Sequence, residues 1–83
     1  MFTTVEEVFD GFDALPFERQ CKRMLAIMPD NILMRAVGNS EQGMAWFVKH
    51  KVAIITASND GTLARLRAEI AAENKENKDV PTV

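Results

Sequence analysis

Two helix-starting residues, Asp30 and Ser40, limit what this 83-residue chain can fold into more than any other feature. They punctuate the stretch DNILMRAVGNSEQGMAWFVKHK. The Asp30 carboxylate can accept from the free N–H groups of a first helical turn, and Ser40 can do the same for a second helix. Leu33 and Val37 stand four apart and bury on one side of the first helix. Gly38 suits the left-handed conformation that ends a helix. Met44, Phe47 and Val48 recur at helical spacing and form the expected inner face of the second helix. A short helix, a glycine turn and another helix make the spacing of a helix-turn-helix.

The flanking segments also read as helices. Thr4 and Glu7 have the spacing of a capping box, which starts a helix over residues 5–14 with Val5, Val8, Phe9 and Phe12 as its apolar stripe. Gly11 weakens that helix by up to about 1 kcal/mol relative to alanine. Pro16 fits the first turn of a helix reaching about residue 28, where its missing N–H is harmless. Phe17, Cys21, Met24, Leu25 and Met28 give it a buried stripe, while Glu18, Arg19, Lys22 and Arg23 lie away from that stripe. Glu18 and Lys22 form a favourable i,i+4 pair. Pro29 then interrupts the chain. The methionines suit either core filling or an adaptable binding surface, and their helical spacing favours the core.

After Lys51 the segment VAIIT is short and β-branched, and reads either as the last turns of the preceding helix or as one short β element near residues 52–57. A rival reading extends the period-2 alternation backwards, so that a strand over 43–55 pairs with 32–37. The fold would then be α+β with an antiparallel hairpin over 31–57. Residues 62–74 are strong helix formers, with Leu63, Leu66 and Ile70 on one face and Asn59 or Asp60 as cap. The expected fold is mainly α: a small helical bundle with a helix-turn-helix, one domain over 1–74, and a polar flexible tail over 75–83. Its core should hold Phe9, Phe12, Leu25, Leu33, Val37, Phe47, Val48, Ile55, Leu66 and Ile70.

A chain of this length makes a single domain, too short for a usual enzyme with a deep cleft. Its 47% hydrophobic content is that of a folded protein. No apolar run approaches the ~20 residues that span a bilayer, so no membrane partner is expected. The acidic start MFTTVEEVFDGFDAL lacks the basic region of a signal peptide. Cys21 is the only cysteine. It suits a small core position in a reducing cytoplasm, the expected location.

Catalysis finds little support. His50 lies between two lysines without a second histidine or a cysteine to share a metal. Ser40 and Ser58 lack a nucleophile motif, and there is no phosphate-binding glycine loop. The N–H groups around Gly61 could hold an anion, but Asp60 opposes one and reads as a cap. No enzyme activity, metal or cofactor is expected.

The segment RAVGNSEQGMAWFVK resembles the helix-turn-helix core of Cro-type repressors of lambdoid phages, and AIITASNDGT resembles the hairpin that follows it there. Four features depart from that pattern: Met34, Asn39, Gly43 within the recognition helix, and the helix-forming TLARLRAEI in place of a second hairpin arm. The resemblance implies a sequence-specific regulator that contacts double-stranded DNA through Ser40, Glu41, Gln42, Ala45, Trp46 and Lys49. Glu41, Gln42, Ala45 and Trp46 would face the major groove and Lys49 the phosphates. Gln42 could pair with adenine and Glu41 could accept from cytosine. A homodimer is implied, because one short helix reads half a site. Without the resemblance, Trp46 and Phe47 read as core aromatics and Gln42 as an exposed polar residue.

Charge supports a different class of function. The net charge is −2 with a pI near 5.3, whereas nucleic-acid binders are usually basic. Glu6, Glu7, Asp10 and Asp13 crowd the first helix with no cation among them, while Arg35, Lys49 and Lys51 face only Glu41 later on. The alternative is a small acidic interaction module that binds and inhibits a basic host protein through Glu6, Glu7, Asp10 and Asp13, in the manner of phage-encoded inhibitors.

Overall fold

A computed structural model describes residues 2–79. It is 81% helical, with six α-helices and no strand among the described residues. Helix α1 (Val5–Phe9) starts at Thr4, whose Oγ1 accepts from the Glu7 N–H at 3.2 Å. The Glu7 carboxylate accepts the Thr3 and Thr4 hydroxyls at 2.5 and 3.2 Å. Gly11, at φ 67°, ends this helix earlier than the apolar spacing suggests. The chain then makes a 3-10 turn, Phe12–Ala14, before α2 (Phe17–Ile27). Pro16 is the residue just ahead of α2, with extended ψ.

The corner between α3 (Asn31–Asn39) and α4 (Glu41–Lys49) consists of Ser40 alone. Asp30 caps α3 as expected, its Oδ1 accepting from the Leu33 N–H at 3.0 Å. Gly38 does not end α3. It is helical, and only Gly11 and Gly61 have positive φ among the described residues. Ser40 makes the stop itself: its N–H and its hydroxyl both donate to the Val37 carbonyl, at 3.1 and 2.7 Å. The same hydroxyl accepts from the Gly43 N–H at 2.9 Å and so starts α4. A Cβ on Gly43 would stand 1.9 Å from the Val37 oxygen. The glycine inside α4 is therefore what lets the two helices meet at so tight a corner.

Residues 52–57 belong to helix α5 (Lys51–Asn59), so neither the short β element nor the hairpin over 31–57 forms. Strand preference amounts to about 1 kcal/mol at most per residue and yields to context. Here the helix is already running. His50 lies between α4 and α5 at φ −106° and ψ 15°, shifts from helical values that oppose each other. The bonds His50 N–H to Trp46 O (3.0 Å) and Ile54 N–H to His50 O (2.8 Å) carry the ladder through the junction. Asp60 then accepts from the Thr62 N–H at 2.9 Å and leads into α6 (Thr62–Asp79). Helix α6 runs past residue 74, where the sequence suggests the domain ends. Residues 80–83 of the expected tail lie outside the described residues.

One core joins these helices, built from Val8, Phe12, Cys21, Met24, Leu25, Ile27, Leu33, Val37, Trp46 and Leu66. Phe9, Phe47 and Ile70 pack partly buried against it. Val48 and Ile55, which their spacing places inside, are instead 78% and 51% exposed. Met44, also placed inward by spacing, is half exposed. Helix α4 is apolar on more than one side, and the wide indole of Trp46 takes the inward position in their place.

Across the α2–α6 seam, Lys22 pairs with Glu69 at 3.3 Å and with Glu73, and Arg65 pairs with Glu18 at 2.6 Å. Lys22 thus reaches α6 rather than Glu18. Exposed pairs of this kind are worth about 0–1 kcal/mol each, so they set register more than stability. Arg23 closes the other side. Its Nη1 donates to the carbonyls of Val8 and Asp10 at 2.8 and 2.9 Å, and its guanidinium lies 4.9 Å over the Phe2 ring.

Candidate interaction surfaces

Helix α4 carries most of the residues that the repressor resemblance selects, and the fold divides them. Glu41, Gln42, Ala45 and Lys49 are exposed. The Ser40 hydroxyl is already committed to Val37 and Gly43. Trp46 is buried, so it cannot face a DNA groove. Its indole N–H donates to Gln20 Oε1 at 3.0 Å, and the Gln20 Nε2 donates to the Phe12 carbonyl at 2.9 Å. The Trp46 ring meets Phe12 and Phe47 edge-on, with centroids 5.7 and 5.0 Å away. The core-aromatic reading of Trp46 is the one observed.

Gln20 is a polar residue that the sequence pattern left unassigned. The signal was available in principle, because a buried indole needs an acceptor and Gln20 is the buried amide on the same inward face of α2 as Met24 and Ile27.

Gln42, Ala45 and Lys49 line one wall of an open cleft of about 550 Å3. Phe9, Phe12, Phe17 and Trp46 make much of its lining aromatic, and Asp13 lines it too. His50 stacks on Phe17 with centroids 5.3 Å apart, and its Nδ1 lies 3.0 Å from the Trp46 carbonyl. Both ends of the Gln20 amide are satisfied within the protein, so the cleft offers no unpartnered buried polar group. Burial, reinforced by the Glu18 charge, pushes the Cys21 thiol up to about 11, which keeps it protonated at neutral pH. Among the described residues, no cluster of histidine, cysteine and carboxylate side chains could hold a metal.

Glu6 and Glu7 lie on α1 and Asp10 caps it, whereas Asp13 belongs to the cleft. The Thr3 hydroxyl, and then that of Thr4, hold the Glu7 carboxyl below the usual range, so this carboxylate is partly occupied. The Arg23 guanidinium sits at the end of α1, on the carbonyls of Val8 and Asp10.

Ile32 on α3 is 85% exposed, and a stripe of exposed apolar residues runs along α4 and α5. Met44, Val48, Val52 and Ile55 are 50%, 78%, 77% and 51% exposed, spaced i, i+4, i+8 and i+11 along α4 and α5. That stripe becomes visible in the sequence only once 51–59 is read as helix. No helix among the described residues is long and apolar enough to cross a membrane. Comparison with known protein families, curated proteins and solved structures finds no match for this chain.

Proposed function

We propose that this chain is a small protein-interaction module, which binds a cellular protein through the outer face of α4 and α5 and acts by occupying that partner's surface. The observation that carries this reading is the stripe Met44, Val48, Val52 and Ile55. Scattered exposed apolar residues are ordinary on a protein surface, but a contiguous set on successive helical turns marks a surface built to be covered. Covering each side chain contributes roughly 25 cal/mol per Å2 of apolar area removed from water. The acidic residues of α1 remain a separate, weaker candidate for the same kind of binding.

A DNA-binding regulator is the second reading. In its favour stand the consecutive capped helices α3 and α4, with Gln42, Ala45 and Lys49 exposed along one edge of α4. Against it stand the buried Trp46, the committed Ser40 hydroxyl and the carboxylate of Asp13 in the same cleft as Gln42, Ala45 and Lys49.

Photo-crosslinking separates these readings. A benzophenone side chain placed at Val52 should form a protein adduct in an extract of the producing cells, while the same group at Glu6 should not. Labelled random duplex DNA should remain unbound at low salt, where non-specific attraction is strongest. Duplex binding that falls steeply with salt and survives Val52→Asp would establish the regulator instead. Adducts at Glu6 alone would move the interface to α1.

A further inference from the structure

We infer that the α4–α5 face receives an amphipathic helix whose apolar stripe is flanked by carboxylates; this rests on the interaction-module reading. At 3.6 residues per turn, Lys51 falls on one flank of the Met44–Val48–Val52–Ile55 stripe and Lys49 on the other. From Gln42 to Asn59 the sequence contains no carboxylate at all. The two long sides of the stripe are therefore positive, and the exposed Glu41, one turn before Met44, stands at its N-terminal end, in a protein whose net charge is −2.

That rim decides between occupants. A second copy would fit by shape: an antiparallel pair sets Val48 against Val52 and Met44 against Ile55. The same pairing gathers Lys49 and Lys51 of both copies around the twofold axis, with no acid to answer them. A parallel pair places one copy's Lys51 flank against the other's Lys49 flank. Both self-pairings therefore oppose like charges, whereas a helix flanked by glutamate or aspartate answers each lysine. A bilayer surface fits less well. Interfacial helices carry tryptophan, phenylalanine or leucine on the apolar face, and this stripe holds none of the three, Trp46 and Phe47 pointing the other way into the core. The stripe covers about three helical turns, enough to seat one helix of that length by ridges-into-grooves packing.

The test uses the full chain and two synthetic peptides of roughly 18 residues, long enough to cover three helical turns. They share a leucine stripe at i, i+4, i+7 and i+11 and differ only in carrying glutamate or lysine on the flanks. In fluorescence anisotropy titrations, the glutamate peptide should bind roughly tenfold tighter than the lysine peptide, and salt should narrow the gap. The doubly substituted chain Lys49→Glu, Lys51→Glu keeps the apolar stripe and should reverse the preference. Val52→Asp, at a site exposed enough to leave the fold intact by circular dichroism, should lose both peptides. Equal affinity for the two peptides would overturn the inference. So would binding to phosphatidylglycerol vesicles that Val52→Asp abolishes, or a dimer in sedimentation equilibrium that Val52→Asp dissociates. Failure of both peptides, with a benzophenone adduct still formed at Val52, would overturn the acidic-helix inference and leave the interaction module standing.

Discussion

On the inward side of α4, Gly43, Trp46 and Phe47 meet the rest of the protein; on its outward side, Met44 and Val48 meet solvent and continue as Val52 and Ile55 on α5. Both sides are apolar, so hydrophobicity alone does not choose between them. The inward side is chosen by groups that require particular partners. Gly43 must lie against the Val37 carbonyl, because any side chain there would collide with it. Trp46 brings an N–H that must find an acceptor when buried, and Gln20 supplies it. Met44, Val48, Val52 and Ile55 carry no such requirement and remain available to a partner. Steric and polar fit, more than the number of aliphatic carbons, orients this helix.

Substitutions on the two sides should separate sharply. Trp46→Ala should have the largest effect, about 3–5 kcal/mol in urea unfolding, through lost burial and the cavity left behind. It also strips the Gln20 carbonyl of its donor. A loss under about 1 kcal/mol, the range of ordinary surface changes, would place the indole outside the core. Gly43→Ala comes next, with about 1–3 kcal/mol lost to overpacking against backbone. Its sign is informative, because helix propensity alone would favour alanine by up to about 1 kcal/mol. A neutral or stabilised variant would mean that the α3–α4 corner is looser than described. Ser40→Ala should remove about 1 kcal/mol, the usual worth of an N-cap, and a thermal melt of that variant beside wild type would sharpen the comparison at the corner itself. Val48→Ser and Val52→Ser should change stability least, by about 0.5 kcal/mol or less. If either approached the Trp46→Ala loss, the outer face would be part of the core.

Local chemistry makes the helix starts of this molecule legible in its sequence, and tertiary contacts decide the features that are not. Thr4, Asp30 and Ser40 cap the helices as their side chains suggest, because an N-cap depends on atoms within three residues. Of the predicted α2 stripe, Cys21, Met24 and Leu25 are inside and Phe17 is partly buried, whereas Met28, at the C-terminal end of the helix, is 43% exposed. The segment VAIIT favours a strand by composition and becomes helix because α4 runs into it through His50. Gly38 and Gly43 exchange their expected parts. The first has no positive φ to supply, and the second answers a close approach across a corner that spacing along the chain does not reveal. For the surfaces, the exposure of Glu41, Gln42, Ala45 and Lys49 follows from their polarity or small size. The apolar stripe stays hidden in the sequence, because half of it lies in a segment that reads equally as helix or strand and the spacing places the other half inward.

Trp46 is the only tryptophan in the chain, so its fluorescence reports one position. Acrylamide quenching of the wild-type protein, native and then unfolded in urea, tests the orientation of α4 most directly. The indole is 7% exposed, so the native quenching constant should be several-fold below the unfolded one. A tryptophan introduced at Val52 in a Trp46→Phe background should already quench in the native state nearly as readily as when unfolded. A native Trp46 that quenches as freely as the residue at position 52 would contradict the inward placement of the indole, and with it the assignment of the opposite face to a partner.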